Sequence, residues 1–209
     1  MEPRGKRAAA AREQKDEGSG GDTDEIFDSA IKFAVDAHSG AFRKGTKTPY
    51  IVHPMEAAAI AATMTDDPEV LAAAVLHDTL EDTDAEYSDL VERFGIRVAR
   101  LVLDESENKR DDLPAAETWK IRKQETIDAL NACTQTDKKI LVLSDKLSNM
   151  RAISRDYESL GEKLWERFNQ HDSSLHGWYY RAIADALSEL SDRPAYKEYA
   201  RLVDKVFGR

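Results

Sequence analysis

Residues 70–83 read Val70-Leu71-Ala72-Ala73-Ala74-Val75-Leu76-His77-Asp78-Thr79-Leu80-Glu81-Asp82-Thr83. The first seven are apolar all round, so this segment belongs in the interior, as a buried helix opened by Asp67-Pro68. It ends on a histidine and an aspartate. An ionised carboxylate carried into an apolar interior costs several kcal/mol unless a partner compensates it. The chain does this twice, because Ile140-Leu141-Val142-Leu143 runs into Ser144-Asp145. A metal cation would neutralise both carboxylates at once, which points to a metal-dependent enzyme.

Outward from this segment the pattern is helical. Thr23 or Asp24 opens a helix with Ile26, Phe27, Ala30, Ile31, Ala34 and Val35 on one face. A polar loop over 39–52 holds Gly40, Gly45 and Pro49, and Pro54 suits the first turn of the next helix. Residues 87–94 form a short helix closed by Gly95, with another over 97–103 and a charged loop over 104–114. Further helices are expected over 115–132, 138–153, 160–169, 174–190 and 195–207. No alternating strand and no internal repeat stand out, so the class is all-α. Residues 1–22 read as a disordered tail and 23–209 as one domain with C-terminal helices.

Composition narrows the partners. The 209 residues carry a net charge of −10, which argues against nucleic acid as a ligand. No stretch is apolar enough to span a bilayer, and no signal peptide is evident. Cys133 is the sole cysteine, which excludes intrachain disulfides and cysteine-based zinc sites. The compartment read from this is the cytoplasm. The C-terminal amphipathic helices could pair chains into a homo-oligomer or simply close the monomer.

The candidate chemistry follows from spacing. His77 and Glu81, and likewise Asp78 and Asp82, are four residues apart; if the helix continues one more turn, both pairs share one side. Asp145 and Asn149 repeat that spacing. His53, between Tyr50-Ile51-Val52 and Pro54, enters the next helix and is the natural third contributor. His53, His77, Asp78 and Asp145 offer two imidazoles and two carboxylates, which suit a borderline divalent ion such as Mn, Fe, Co, Ni or Zn. Such an ion lowers the pKa of water and polarises a phosphoryl oxygen, with Glu81 and Asp82 as acid/base candidates. Arg43, Lys44 and Lys47 lead into this site and suggest a phosphate-rich ligand in an otherwise acidic chain. Lys109 and Arg110 are a weaker second anion contact. His171 and His176 read as surface or helix-cap histidines, His38 as a peripheral neighbour of the site. Trp165, Phe168, Trp178, Tyr179 and Tyr180 read as packing.

These motifs together resemble the HD-domain hydrolases of the RelA/SpoT group, above all the small single-domain alarmone hydrolases. They are Ala37-His38 with Phe42-Arg43-Lys44, Pro49-Tyr50-Ile51-Val52-His53-Pro54, the Leu76–Thr83 run, Phe94-Gly95, Trp119 with Arg122-Lys123, and Ser144-Asp145-Lys146-Leu147-Ser148-Asn149-Met150-Arg151. The resemblance implies an HD-domain helical bundle with one Mn2+ on His53, His77, Asp78 and Asp145. It implies Glu81 and Asp82 as the catalytic pair, and Arg43, Lys44, Tyr50 and Asn149 around a purine nucleotide. The implied reaction converts guanosine tetra- or pentaphosphate to GDP or GTP plus pyrophosphate. The alternatives are an HD phosphohydrolase acting on an adenosine alarmone or NADPH, and a non-catalytic alarmone-binding module. The chain departs from the family pattern at Ser106, Ser144 and the loop Gly45-Thr46-Lys47-Thr48. Its length leaves no room for a synthetase segment, so alarmone synthesis is not expected.

Overall fold

The computed structural model describes residues 21–107, 110 and 112–208, with side chains from Glu25 onward. Most of the assigned tail therefore lies outside the described residues. Its last two positions do not: α1 (Gly21–Ala37) starts at Gly21, ahead of the expected cap. The architecture is all-α. Among the described residues the sole extended pairing is one bridge between Phe42 and Pro49, which closes the loop after α1.

The centre of the bundle is α3 (Pro68–Leu76). Asp67 caps it by accepting a 3.0 Å hydrogen bond from Glu69 N, and Pro68 occupies its first turn. Val70 and Ala72 through Leu76 are wholly buried. This helix is apolar all round because α1, α2 (Val52–Ala61), α5 (Tyr87–Glu105) and α7 (Thr136–Leu160) pack on it. Its alanines permit close approach, while each buried Leu or Val contributes about 1.5–3 kcal/mol.

The expected continuation of this helix through Asp82 does not occur. The helix stops at Leu76, and a separate turn, α4 (Thr79–Asp82), follows. Side chains occupy the carbonyls near the break: His77 Nδ1 lies 2.8 Å from Ala74 O, and Thr79 Oγ1 donates to Leu76 O at 2.7 Å. Asp78, with φ −91° and ψ −2°, turns the chain there.

The kink at Gly95 falls where the sequence places it. Gly95 has φ 82° and ψ 165°, a conformation that a side chain would strain, and it divides α5. α6 (Ala115–Ala132) matches its expected bounds. α7 extends past the expected end at Ile153 to Leu160, and a 3-10 segment, Gly161–Arg167, replaces the helix read over 160–169. α8 (Ser173–Ala186) and α9 (Pro194–Phe207) pack on α6 and α7. Trp165 stacks on His176 at 4.8 Å, and Tyr180 on Phe207 at 5.9 Å. His176 is thus a core residue, not a surface histidine: it is buried, with Nε2 2.8 Å from Gln170 O. No helix is long and apolar enough to cross a membrane among the described residues.

Candidate metal centre and cavity

Three elements converge on one point. α2 brings His53 from its first turn, the α3–α4 junction brings His77 and Asp78, and the middle of α7 brings Asp145. His53 Nε2 and His77 Nε2 stand 3.3 Å apart. Asp145 Oδ1 is 3.0 Å from His53 Nε2 and 3.6 Å from His77 Nε2; Asp78 Oδ2 is 3.4 Å and 3.1 Å from the same two atoms. His53, His77 and Asp145 are buried, and Asp78 is nearly so.

The donor chemistry fits a divalent cation. Ala74 O can only accept, so His77 Nδ1 carries a hydrogen, and Nε2 is the nitrogen turned to the cluster, a lone pair once a cation displaces its proton. Donor atoms of His53, His77 and Asp78 lie within 4.8 Å of one another, and Asp145 Oδ1 lies against both imidazoles, a nitrogen and oxygen set that a borderline divalent ion takes. The field there is cation-seeking. Burial pushes the His77 imidazole down, but Asp78 and Asp145 outweigh it and hold its pKa well above the ordinary histidine range. Burial dominates at His53 and lowers its pKa. Burial disfavours the ionised form of Asp145, yet Lys146 and the two imidazoles hold its pKa well below the usual carboxylate range.

The cluster floors a cavity of about 160 Å³ lined by Arg43, Tyr50, Glu81, Asp82, Glu105, Glu107, Lys123, Lys146 and Asn149, together with cluster residues. Glu81 Oε2 receives a 3.4 Å contact from Glu107 N. The Tyr50 hydroxyl sits 2.8 Å from Asp78 Oδ2 and 2.9 Å from Asp82 Oδ2, and burial with both carboxylates raises its pKa far above that of free tyrosine. Asn149 bridges two cavity groups: Nδ2 donates to Asp145 Oδ1 at 2.6 Å, and Oδ1 accepts from Arg43 NH2 at 2.8 Å. The Arg43 guanidinium lies over the Tyr50 ring at 5.6 Å.

Of the residues read from sequence, the structure brings together His53, His77, Asp78, Asp145, Glu81, Asp82, Arg43, Tyr50 and Asn149. It does not bring Lys44 or Lys47 to the cavity; both are exposed on the loop. Lys109 lies outside the described residues, and Arg110 pairs with Glu125. His38 is buried against the Tyr50 ring at 4.9 Å.

Four lining residues were not singled out: Glu105, Glu107, Lys123 and Lys146. Lys146 pairs with both Asp145 and Glu105, and Lys123 with Glu107 at 2.6 Å. Burial raises the Glu105 carboxyl to about 7 although Lys146 pulls it down. Their sequence signal was position: Lys146 follows the buried Asp145, and Glu105 ends a helix whose Leu101 and Val102 are core. The lining holds six carboxylates against Arg43, Lys123 and Lys146, a negative excess that a divalent cation would largely offset.

Comparison with known proteins defines the class. Residues 30–170 match the HD domain family, and the chain belongs to it. Individual relatives narrow the kinship. The bifunctional (p)ppGpp synthase/hydrolase SpoT of Escherichia coli K12 is 40% identical over 179 residues, covering 85% of this chain and 25% of that protein. The guanosine-3′,5′-bis(diphosphate) 3′-pyrophosphohydrolase of Aquifex aeolicus is 38% identical over 131 residues, 62% of this chain and 18% of its own length. The chain therefore spans a quarter or less of these bacterial relatives. The Danio rerio pyrophosphohydrolase MESH1 is 37% identical over 128 residues, 60% of this chain and 67% of that one. Among solved structures, lmo0812 of Listeria monocytogenes aligns with TM-score 0.65 and 32% identity over 75% of this chain and 99% of its own. A metazoan SpoT ortholog, described as hydrolysing ppGpp, aligns with TM-score 0.65 and 26% identity over 87% and 93%.

Proposed function

We propose that this protein is a Mn2+-dependent hydrolase that removes the 3′-diphosphate from guanosine tetra- and pentaphosphate, giving GDP or GTP and pyrophosphate. The observation that carries this reading is the convergence of His53, His77, Asp78 and Asp145 at the floor of a cavity walled by both acids and cations. The activity named for the SpoT and MESH1 relatives supports the substrate. The four cluster residues would hold the ion, which supplies Lewis-acid polarisation of the phosphoryl group and an acidified water.

The remaining steps belong to the chain. Glu81, beside the cluster, accepts a proton from the water that attacks the phosphorus bonded to the 3′-oxygen; the 3′-O–P bond breaks, and Asp82 relays a proton to the departing 3′-oxygen, which becomes the nucleotide 3′-hydroxyl. The Tyr50 hydroxyl holds Asp78 and Asp82 in a fixed spacing, so Tyr50 works on the carboxylates more than on the nucleotide. Arg43 meets the phosphates or the base, and Asn149 acts through Arg43 by tying it to Asp145. Lys123 and Lys146 complete the cationic wall toward the diphosphate, which is released as pyrophosphate carrying the water oxygen.

The test is hydrolysis of guanosine tetraphosphate by the full chain with added Mn2+, resolving nucleotide and pyrophosphate, beside a chelated control. GDP plus pyrophosphate in equal amounts, lost on chelation, is the expected result. Absence of turnover in a folded, Mn2+-loaded sample overturns the proposal.

A further inference from the structure

The two cluster histidines are oriented by different means. The Nδ1 hydrogen of His77 is held by a main-chain carbonyl. That of His53 is held by side chains: Nδ1 lies 2.8 Å from Ser148 Oγ, and Ser148 Oγ lies 2.7 Å from Glu56 Oε2. A carboxylate accepts and does not donate. The Ser148 hydroxyl hydrogen therefore goes to Glu56, and the Ser148 oxygen receives the His53 Nδ1 hydrogen. With a cation in the cluster, Nε2 of His53, 3.0 Å from Asp145 Oδ1, is then the nitrogen left to present its lone pair. Glu56 is itself held from the far side: Oε1 accepts from Arg151 NH1 at 3.1 Å, while Arg151 Nε and NH2 grip both oxygens of Glu198 on α9 at 2.8 Å.

We propose that Glu56 and Ser148 are positioning residues that fix the tautomer of His53 and thereby set the affinity of the cluster for its divalent ion. The inference rests on the reading of His53 as a metal ligand. Its logic is that of outer-shell partners generally, which orient an imidazole and raise its basicity. Here the partner reaches the ring through a hydroxyl, so the direction of one O–H bond decides which ring nitrogen is free. Glu56→Gln attacks that direction. A glutamine amide can donate to Ser148 Oγ, which releases the hydroxyl to donate to Nδ1 and moves the ring hydrogen to Nε2. Ser148→Ala removes the acceptor altogether.

The experiment is titration of metal-free full-length protein with Mn2+, following the free-ion electron paramagnetic resonance signal, for the parent, Glu56→Gln, Ser148→Ala and Asp78→Asn. Side-chain 15N shifts of His53 and His77 are recorded on the same metal-free samples. Glu56→Gln keeps residue size at a partly exposed position, so it does not depend on the fate of the buried Ser148 variant. The expected result is a loss of Mn2+ affinity of about tenfold for Glu56→Gln and about 10- to 100-fold for Ser148→Ala. The His53 Nδ1 signal then leaves the protonated range while His77 stays in place. Binding by both variants within about twofold of the parent, with Asp78→Asn defective, overturns the relay and leaves the metal reading standing. No Mn2+ binding by the parent overturns the metal reading, and the relay with it.

Discussion

The α3–α4 junction and the middle of α7 supply the carboxylate-bearing halves of the cluster, which His53 of α2 joins, and these halves are built in opposite ways. α7 runs unbroken from Thr136 to Leu160, and Asp145, Ser148 and Asn149 share one side through spacings of three and four. At the junction, the adjacent residues His77 and Asp78 both reach the same point. On a continuous helix, neighbours point about 100° apart, so adjacent convergence requires the turn that Asp78 makes. The difference teaches that a break can be as specific as a helix. Here it is tied down by His77 on Ala74 O and Thr79 on Leu76 O.

The largest expected effects come from removing one carboxylate from each half. Asp78→Ala and Asp145→Ala should each abolish Mn2+ binding and nucleotide hydrolysis while circular dichroism stays helical. Full turnover in one variant would take that half out of the site.

A smaller effect sharpens the α7 half. Glu105 pairs with Lys146 beside Asp145, and its folded pKa of about 7 lies above the ordinary value of 4.5. The stability it adds is therefore present below its unfolded pKa and lost as pH rises toward 7. Metal-free Glu105→Gln should gain on the parent as pH rises from about 5 to about 8, read as urea midpoints. A difference that stays constant with pH would refute the assignment.

The smallest effect concerns how the two halves are aligned. Arg97 on α5 binds Asp67 at 2.8 Å and Glu69 at 2.5 Å, at the start of α3, and Asp137 at 2.7 Å, at the start of α7. The group is partly exposed, so Arg97→Ala should cost only about 0.5–1 kcal/mol in denaturant unfolding. Mn2+ stoichiometry should be unchanged.

Much of this was legible in the sequence, and the gaps have physical causes. Apolar runs ending in charge marked α3 and the buried part of α7, and Gly95 marked the division of α5. The α3–α4 break was not legible, because Thr79-Leu80-Glu81-Asp82 suits a continued helix as well as a new turn. The last turns of α7, through Arg155, Asp156, Tyr157 and Glu158, lack an apolar stripe and take their order from tertiary packing. Lys44 was grouped with Arg43 by adjacency, but the loop sends them to different places. Lys123, Lys146, Glu105 and Glu107 line the cavity by folding together across the chain; the motifs hold Lys123 and Lys146, but local spacing does not show that the four meet.

The Arg97 contacts carry a consequence for chain length. His77 stands ten positions beyond Asp67, and Asp145 eight beyond Asp137. Both runs start at one guanidinium and finish at one cluster. An inserted residue in either helical run would advance its end by about 1.5 Å and turn it by about 100°. The guanidinium thus marks a common origin for two rulers that helix packing holds in place, and an added or deleted residue in either would misplace a cluster side chain.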